Sequence, residues 1–272
     1  MDQAKLPSDQ RQLITATQRQ FRFYRQTLRF YGLLGFVLLV SVAFLVVTIV
    51  KDSNSGTAPD YLASLLGTIQ VFGIIICAFI GGDAIAMDFG GGTGYYVLVL
   101  PVRRSVLLLG RYIAAFAVSF LLILVVYLMA ILGTVYFYGV GGVPWDLVVQ
   151  SLALSALYAA AIVATAFFLS SLFRSPAMSM ITTVLILFLG LDIADEIVQV
   201  SGYEPWYSIY YAGQVISTVI SPVPHKMTVG MGRFEFVTFS PYIWEGALIM
   251  LGYLVVFLPL SLFLYNRKES KG

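Results

Sequence analysis

Residues 106–138 read VLLLGRYIAAFAVSFLLILVVYLMAILGTVYFY, a run in which Arg111 is the only charged residue. A helix needs about 20 apolar residues to cross a hydrocarbon layer of about 30 Å, so this run exceeds one crossing. A continuous helix satisfies its own backbone hydrogen bonds, which is a requirement inside a bilayer. We therefore predict a transmembrane helix here that tilts strongly or projects from the membrane.

Five more apolar runs flank this one along the chain. The sequence is 59% hydrophobic and only 11% charged, whereas soluble domains are about 25% charged. The further runs are residues 31–50, 59–80, 147–172, 177–191 and 243–265. Together they predict an all-α integral membrane protein with six transmembrane helices in one domain, residues 31–265, followed by a cytoplasmic tail, residues 266–272. A soluble or secreted enzyme is excluded.

The first 30 residues have the pattern of an amphipathic helix at the membrane interface. Apolar and aromatic side chains, with one threonine, recur at steps of three and four, at Leu13, Thr17, Phe21, Tyr24, Leu28 and Tyr31. Four arginines fall on the opposite side of the helix, namely Arg11, Arg22, Arg25 and Arg29. The alternative interpretation is a solvated basic stretch that precedes the first transmembrane helix.

The charges in the loops predict the orientation, because lysine and arginine are retained on the cytoplasmic side. With six helices and the amino terminus inside, only Lys51, Lys226 and Arg233 of the 16 basic residues lie outside. Most of the acidic residues lie on or near the outer side. We expect a multi-pass protein of the cell (plasma) membrane with both termini in the cytoplasm.

The outer segment, residues 192–241, joins the last two transmembrane helices. Its aromatic-rich stretch PWYSIYYAGQVISTVI, residues 205–220, would be costly to leave in water, so we predict short re-entrant helices there. Asp192, Asp195 and Glu196 are spaced to share one helix face and could converge on a cation. The alternative is that the fifth helix ends near Leu191 and these three acids are solvated.

Metal and thiol chemistry have little basis in the sequence. Cys77 is the only cysteine and His225 the only histidine, which excludes a disulfide framework and a multi-histidine metal cage. His225 directly follows Pro224 and is interpreted as an ordinary loop residue. We predict no metal site and no catalytic residues.

The segment between the second and third helices is rich in glycine. Residues 81–112 read GGDAIAMDFGGGTGYYVLVLPVRRSVLLLGRY. A phosphate-binding loop would need a lysine after its glycines, and no lysine occurs between Lys51 and Lys226. We therefore expect no nucleotide binding by this chain. The pattern predicts a helix that leaves the membrane near Asp83, a short helix over residues 95–100, and re-entry after Pro101.

This segment resembles the cytoplasmic turn of ABC-2 type transporter permeases. In that family the turn is marked by an acidic residue, a Gly-Thr pair, a hydrophobic stretch, a proline, basic residues and a Leu-Gly-Lys sequence. The matching residues are Asp88, Gly92, Thr93, Pro101, Val102, Arg103, Arg104, Leu109, Gly110 and Arg111. Arg111 replaces the usual lysine, and the triple glycine ending at Gly92 is a second departure. The resemblance extends to the six-helix plan and covers essentially the full chain.

The resemblance implies that this chain is the transmembrane subunit of an ATP-driven exporter. Residues 83–104 would form a coupling turn seated on a separate ATPase subunit, which would bind ATP and Mg²⁺. The implied coupling residues are Asp83, Asp88, Gly92, Thr93, Pro101, Arg103 and Arg104. A second copy of the chain or a paralogous permease would complete the pathway, surrounded by membrane lipids, and no nucleic-acid partner is expected.

Two other functions fit the sequence. The acidic residues Asp192, Asp195 and Glu196 could serve an ion-coupled transporter or channel. A membrane-embedded hydrolase would need two acids buried on different helices. Asp83 and Asp192 are predicted near opposite membrane faces, which makes such an enzyme a weak alternative.

Overall fold

The computed structural model describes residues 8–50, 56–87, 104–231 and 234–268. Within them the chain forms ten α-helices and one antiparallel β-hairpin. The helices are α1 (Asp9–Gln26), α2 (Leu28–Val50), α3 (Ala58–Gly81), α4 (Arg104–Tyr138), α5 (Trp145–Leu172), α6 (Pro176–Val184), α7 (Leu191–Val200), α8 (Ile209–Ala212), α9 (Val215–Thr218) and α10 (Ile243–Lys268). The strands are β1 (Lys226–Met231) and β2 (Phe234–Phe239).

The prediction of six membrane-spanning helices is confirmed. Within the described ranges, six helical segments are long and apolar enough to cross a membrane. These segments are Leu28–Thr48, Ala58–Gly81, Ser105–Tyr138, Trp145–Leu172, Pro176–Val200 and Ile243–Arg267. The chain is therefore an all-α integral membrane protein, as its hydropathy indicates.

The fifth of these segments is longer than the sequence indicates. It starts at Pro176, where a proline is preorganised for the first helical turn. It continues through a π-helical stretch, Leu185–Gly190, into α7 without a break. The alternative in which this helix ends near Leu191 is therefore wrong. Because helix continues to Val200, Asp192, Asp195 and Glu196 lie on the helix and not beyond it.

The core of the bundle lies where α3, α4 and α5 meet. Small side chains between Tyr158 and Phe167 on α5 allow the neighbouring helices to approach closely, and this stretch is almost completely buried. Gly73 on α3 lies directly against the Tyr158 ring. Helix α10 packs along α5, while much of α2 and α10 is left uncovered by the chain itself.

The outer segment contains short helices as predicted, namely α8 and α9. Their apolar side chains are buried among α3, α5 and α10. The Gln70 side chain on α3 donates to the Tyr210 carbonyl at 3.0 Å, and Ser151 on α5 donates to the Ile216 carbonyl at 2.6 Å. Helices too short to satisfy their own backbone thus obtain partners from the long helices.

The β-hairpin was not predicted. Its register pairs Lys226 with Phe239 and Met231 with Phe234. The alternating β-branched and aromatic residues of TVGMGRFEFVTF, with a glycine near the middle, are the signal that would have indicated it.

The amino-terminal helix is shorter than the predicted span of residues 1–30. Helix α1 ends at Gln26, because Thr27 adopts an extended conformation with φ −86° and ψ 134°. The assignment of Arg29 to the amphipathic helix is therefore wrong, since this residue belongs to the first turn of α2. Arg11, Arg22 and Arg25 are exposed on α1, as expected.

Candidate functional site

The chain turns sharply where it leaves α3, at residues 82–87, here called the elbow. Asp83 is 2% exposed, and Ile85 and Ala86 are completely buried. The turn is held locally by Met87, whose N–H donates to the Asp83 carbonyl at 3.0 Å. Buried backbone outside a regular helix needs hydrogen-bond partners from elsewhere, and the surrounding helices supply them.

Two serines tie the elbow to α5 and α6. The Ser170 hydroxyl, at the end of α5, accepts hydrogen bonds from the N–H groups of Ile85 at 3.1 Å and Ala86 at 3.0 Å. The Ser179 hydroxyl on α6 donates to the Gly82 carbonyl. Both serine side chains are completely buried. The elbow is thus held from both sides of the short turn that joins α5 to α6.

Two longer side chains attach the elbow to α4 and the adjoining turn of α3 to α1. Arg111 on α4 donates through Nη1 to the Ala84 carbonyl at 3.1 Å. Tyr24 on α1 donates through Oη to the Ile80 carbonyl, in the last turn of α3, at 3.0 Å. Arg111 is the residue that departs from the lysine of the resembling family, and here it contacts the elbow directly.

An ion pair ties the elbow to α2. The Arg29 guanidinium contacts the Asp83 carboxylate, with the Asp83 side chain 3% exposed and the Arg29 side chain 49% exposed. Burial raises the pKa of Asp83 above its ordinary value, and the adjacent Arg29 opposes that rise only in part. Since Asp83 is enclosed by its own chain, it can affect a partner protein only through the elbow.

Helix α1 crosses α4 at Gly110, a residue of the family-like motif. A Cβ at Gly110 would lie 2.8 Å from the Ala16 Cβ and 3.2 Å from the Thr17 nitrogen. The predicted apolar face of α1 therefore packs on α4, with Tyr24 buried and Leu13 partly buried. The amphipathic pattern reflects a helix–helix contact, in addition to the membrane interface that the sequence predicts.

The remaining coupling residues lie outside the part of the chain that the structure describes. These are Asp88, Gly92, Thr93, Pro101 and Arg103. Arg104 begins α4, but its side chain is also outside the description. Residues 88–103, here called the undescribed segment, connect the elbow to α4.

The three acids of α7 do not converge on one point. Asp195 is 2% exposed, whereas Asp192 is partly buried and Glu196 is exposed. The Asp195 carboxylate lies beside the Tyr207 and Ser208 side chains, but neither oxygen forms a hydrogen bond of good geometry within the described residues. Neither interpretation from the sequence fits, since Asp195 is not solvated and the three acids do not form a joint cation site.

Sequence reasoning missed Ser170 and Ser179 as residues that hold the elbow. Both lie within apolar helices, 84–97 positions from the elbow groups that they bind. A small polar side chain at the end of an apolar run is too common to single out without the fold. Nothing in the sequence indicates which distant backbone it meets.

Comparison with known proteins yields one family. A model of a family described as ABC-2 family transporter protein matches residues 8–270. No curated protein matches the chain significantly. The matched range includes all six transmembrane segments, the elbow and the β-hairpin.

Proposed function

This chain belongs to the ABC-2 transporter family, and we propose that it is the transmembrane subunit of an ATP-driven exporter, coupled to separate ATPase subunits. Membership in this family supports a permease role in transport for a multi-pass membrane protein. In the proposed complex the ATPase binds ATP and Mg²⁺ and performs hydrolysis, while this chain has no catalytic role. Export uses alternating access, in which the permease rearranges as the ATPases close.

The observation that carries the proposal is the way the elbow is held. Residues 82–87 are bound by side chains from α2, α4, α5 and α6, and Tyr24 of α1 binds the adjoining turn of α3. The undescribed segment that follows contains most of the family-like motif. A displacement of that segment would move a buried turn that is bound to four helices, so the motion should pass to these helices as a rigid body instead of being absorbed locally.

The proposed assembly is a dimer in the cell membrane with both termini in the cytoplasm. Helices α2 and α10 are largely uncovered by the rest of the chain, so lipids or a second permease must cover them. The sided distribution of lysine and arginine supports the orientation. In this arrangement the elbow lies at the cytoplasmic end of the bundle, where an ATPase can bind.

The partner can be tested by affinity purification of the tagged full chain from its native host. We expect an ATPase subunit to copurify with the wild-type chain. Substitution of Arg103 and Arg104 by alanine should reduce its recovery at least several-fold, because charge complementarity strengthens docking. Quantitative mass spectrometry of the purified complex measures the ATPase-to-permease ratio.

The control is Lys226→Ala, which removes a basic residue on the opposite predicted face and should leave the ratio unchanged. A purified, transport-active permease without any ATPase would refute the proposed function. If the variant lacking Arg103 and Arg104 recovers as much ATPase as the wild-type chain, these arginines act only in membrane orientation.

The burial of Asp195 favours a second candidate function, ion-coupled transport. A carboxyl group enclosed beside Tyr207 and Ser208 is the kind of intramembrane ionisable group that binds a translocated proton or cation. If the chain alone mediates proton flux into vesicles loaded with a pH-sensitive dye, Asp195→Asn should abolish it. Asp146→Asn, at an exposed acid, is the matched control, and the absence of any flux by the wild-type chain would eliminate this candidate.

A further inference from the structure

Three side chains from different parts of the outer segment and α10 meet at one point. Glu204 follows α7, His225 precedes β1, and Glu245 lies in the first turn of α10. One ligand atom from each lies within 4.8 Å of the other two, and all three residues are partly buried. No other group of three such residues comes together in the described residues.

The β-hairpin positions His225. Its ladder continues past the Lys226–Phe239 pair, since the Ser240 N–H donates to the His225 carbonyl at 2.9 Å. The His225 Nδ1 lies 2.7 Å from the Ser240 carbonyl, so Nδ1 carries the proton in this contact. The Tyr242 ring stacks on the imidazole at 4.4 Å between centroids. These contacts fix the ring plane, and a neutral imidazole with its proton on Nδ1 has its lone pair on Nε2.

The two glutamates are oriented by bonds to other groups. The Tyr211 hydroxyl donates to Glu204 Oε1 at 2.6 Å, which leaves Glu204 Oε2 facing His225 Nε2 at 3.7 Å. The Tyr242 N–H donates to Glu245 Oε2 at 3.1 Å. Ligands of metal ions are commonly held in this way, with the atom that does not bind the metal fixed by a second group.

Charge balance also favours a cation at this point. Two carboxylates and a neutral imidazole carry a charge of about −2, which a divalent ion neutralises. Neither Glu204 nor Glu245 has a lysine or arginine partner among the described residues. Two partly buried carboxylates that face the same point favour a positive charge between them, and a bound cation would supply it.

We propose that Glu204, His225 and Glu245 bind a divalent transition-metal ion, with Zn²⁺ as the preferred ion. Tetrahedral zinc with ligand bonds of about 2.0–2.2 Å places its ligand atoms roughly 3.4 Å apart. The distance between Glu204 Oε2 and His225 Nε2, 3.7 Å, is close to this value. An imidazole ligand favours zinc over the oxygen-preferring Mg²⁺ and Ca²⁺. Water occupies the fourth position.

A metal ion bound here would connect three separate segments of the chain. It joins the loop after α7, the base of the β-hairpin and the start of α10. The proposal does not depend on ATP coupling or on the direction of transport, because it concerns only residues of this chain. Its failure would leave the proposed exporter function intact, and the reverse also holds.

The test is calorimetric titration of ZnCl₂ into the purified, chelator-treated full chain in lipid nanodiscs. We expect one zinc per chain, and the same titration with MgCl₂ should give no binding at equal concentrations. Co²⁺ bound in place of zinc should show the visible absorption of a low-coordinate site. Trp206 and Trp244 lie within two positions of Glu204 and Glu245 in the sequence, so their fluorescence should change on zinc addition.

Variants distinguish this site from adventitious binding. His225→Ala, Glu204→Gln and Glu245→Gln should each weaken zinc binding at least tenfold, and Asp146→Asn should not. Tyr211→Phe keeps the ring but frees Glu204, and we expect a 10- to 100-fold loss. Zinc binding that is absent from the wild-type chain, or unchanged in His225→Ala, would overturn the proposal.

Discussion

At the scale of single residues, the Arg29–Asp83 pair is the contact in which electrostatics and burial oppose each other most directly. Asp83 is almost completely enclosed and Arg29 is half exposed. Removal of the arginine leaves a buried carboxylate without its counter-charge. Removal of one partner from a fully buried ion pair lowers the free energy of unfolding by about 3–5 kcal/mol. Because Arg29 is screened by solvent, we expect a loss of about 1–3 kcal/mol here.

We predict that Arg29→Met lowers the apparent melting temperature of the purified chain, more at neutral than at acidic pH. The pKa of Asp83 is raised by burial, so the folded chain binds this proton more tightly than the unfolded chain. The stability that protonated Asp83 contributes is fully present below its pKa in the unfolded chain, about 4. It is lost as the pH rises through the pKa of Asp83 in the folded chain. Loss of Arg29 raises the pKa of Asp83 in the folded chain further. The stability lost at neutral pH therefore becomes larger.

The measurement is thermal unfolding between pH 4.5 and 7.5 for Arg29→Met and for Arg29→Met combined with Asp83→Asn. The double variant should recover part of the stability and lose the additional pH dependence. Arg22→Met, at an exposed arginine on α1, is the control. An equal deficit at both ends of the pH range would show that the carboxylate charge is not the cause.

At the scale of elements, the crossing of α1 over α4 depends on the missing side chain at Gly110. A methyl group there would overlap the Ala16 side chain and press on the α1 backbone. Overpacking of this kind lowers the free energy of unfolding by about 1–3 kcal/mol. The same crossing brings Tyr24 to the last turn of α3, so a shift of α1 should also disturb the attachment of the elbow.

We predict that Gly110→Ala lowers the apparent melting temperature and makes α1 more sensitive to limited proteolysis. Gly35→Ala in α2 is the matched control, because no atom beyond its chain neighbours and its own helix backbone lies within 4 Å of the position its Cβ would occupy. That substitution should be neutral or slightly stabilising through helix propensity. Equal behaviour of the two variants would show that α1 can shift on α4 without cost.

At the scale of the whole molecule, the proposed orientation can be tested with single cysteines. Cys77 is completely buried, so the wild-type chain should react little with a membrane-impermeant maleimide. Tyr203→Cys replaces a residue that is 72% exposed in the outer segment, and it should be labelled in intact cells. Arg22→Cys, on the exposed side of α1, should be labelled only after permeabilisation, and the reverse pattern would invert the proposed topology.

Hydropathy by itself determined the six transmembrane segments, and an aromatic-rich run in a polar segment predicted α8 and α9. These features are local, because an apolar run must become a helix inside a bilayer whatever its neighbours are. Only the tertiary structure decided that Asp83 pairs with Arg29, 54 positions away, and that Ser170 holds the elbow. The same applies to Glu204, His225 and Glu245, which the β-hairpin and α10 bring together. Polar side chains on an apolar background carry no local signal for their partners, and only the packing of the helices and the β-hairpin selects them.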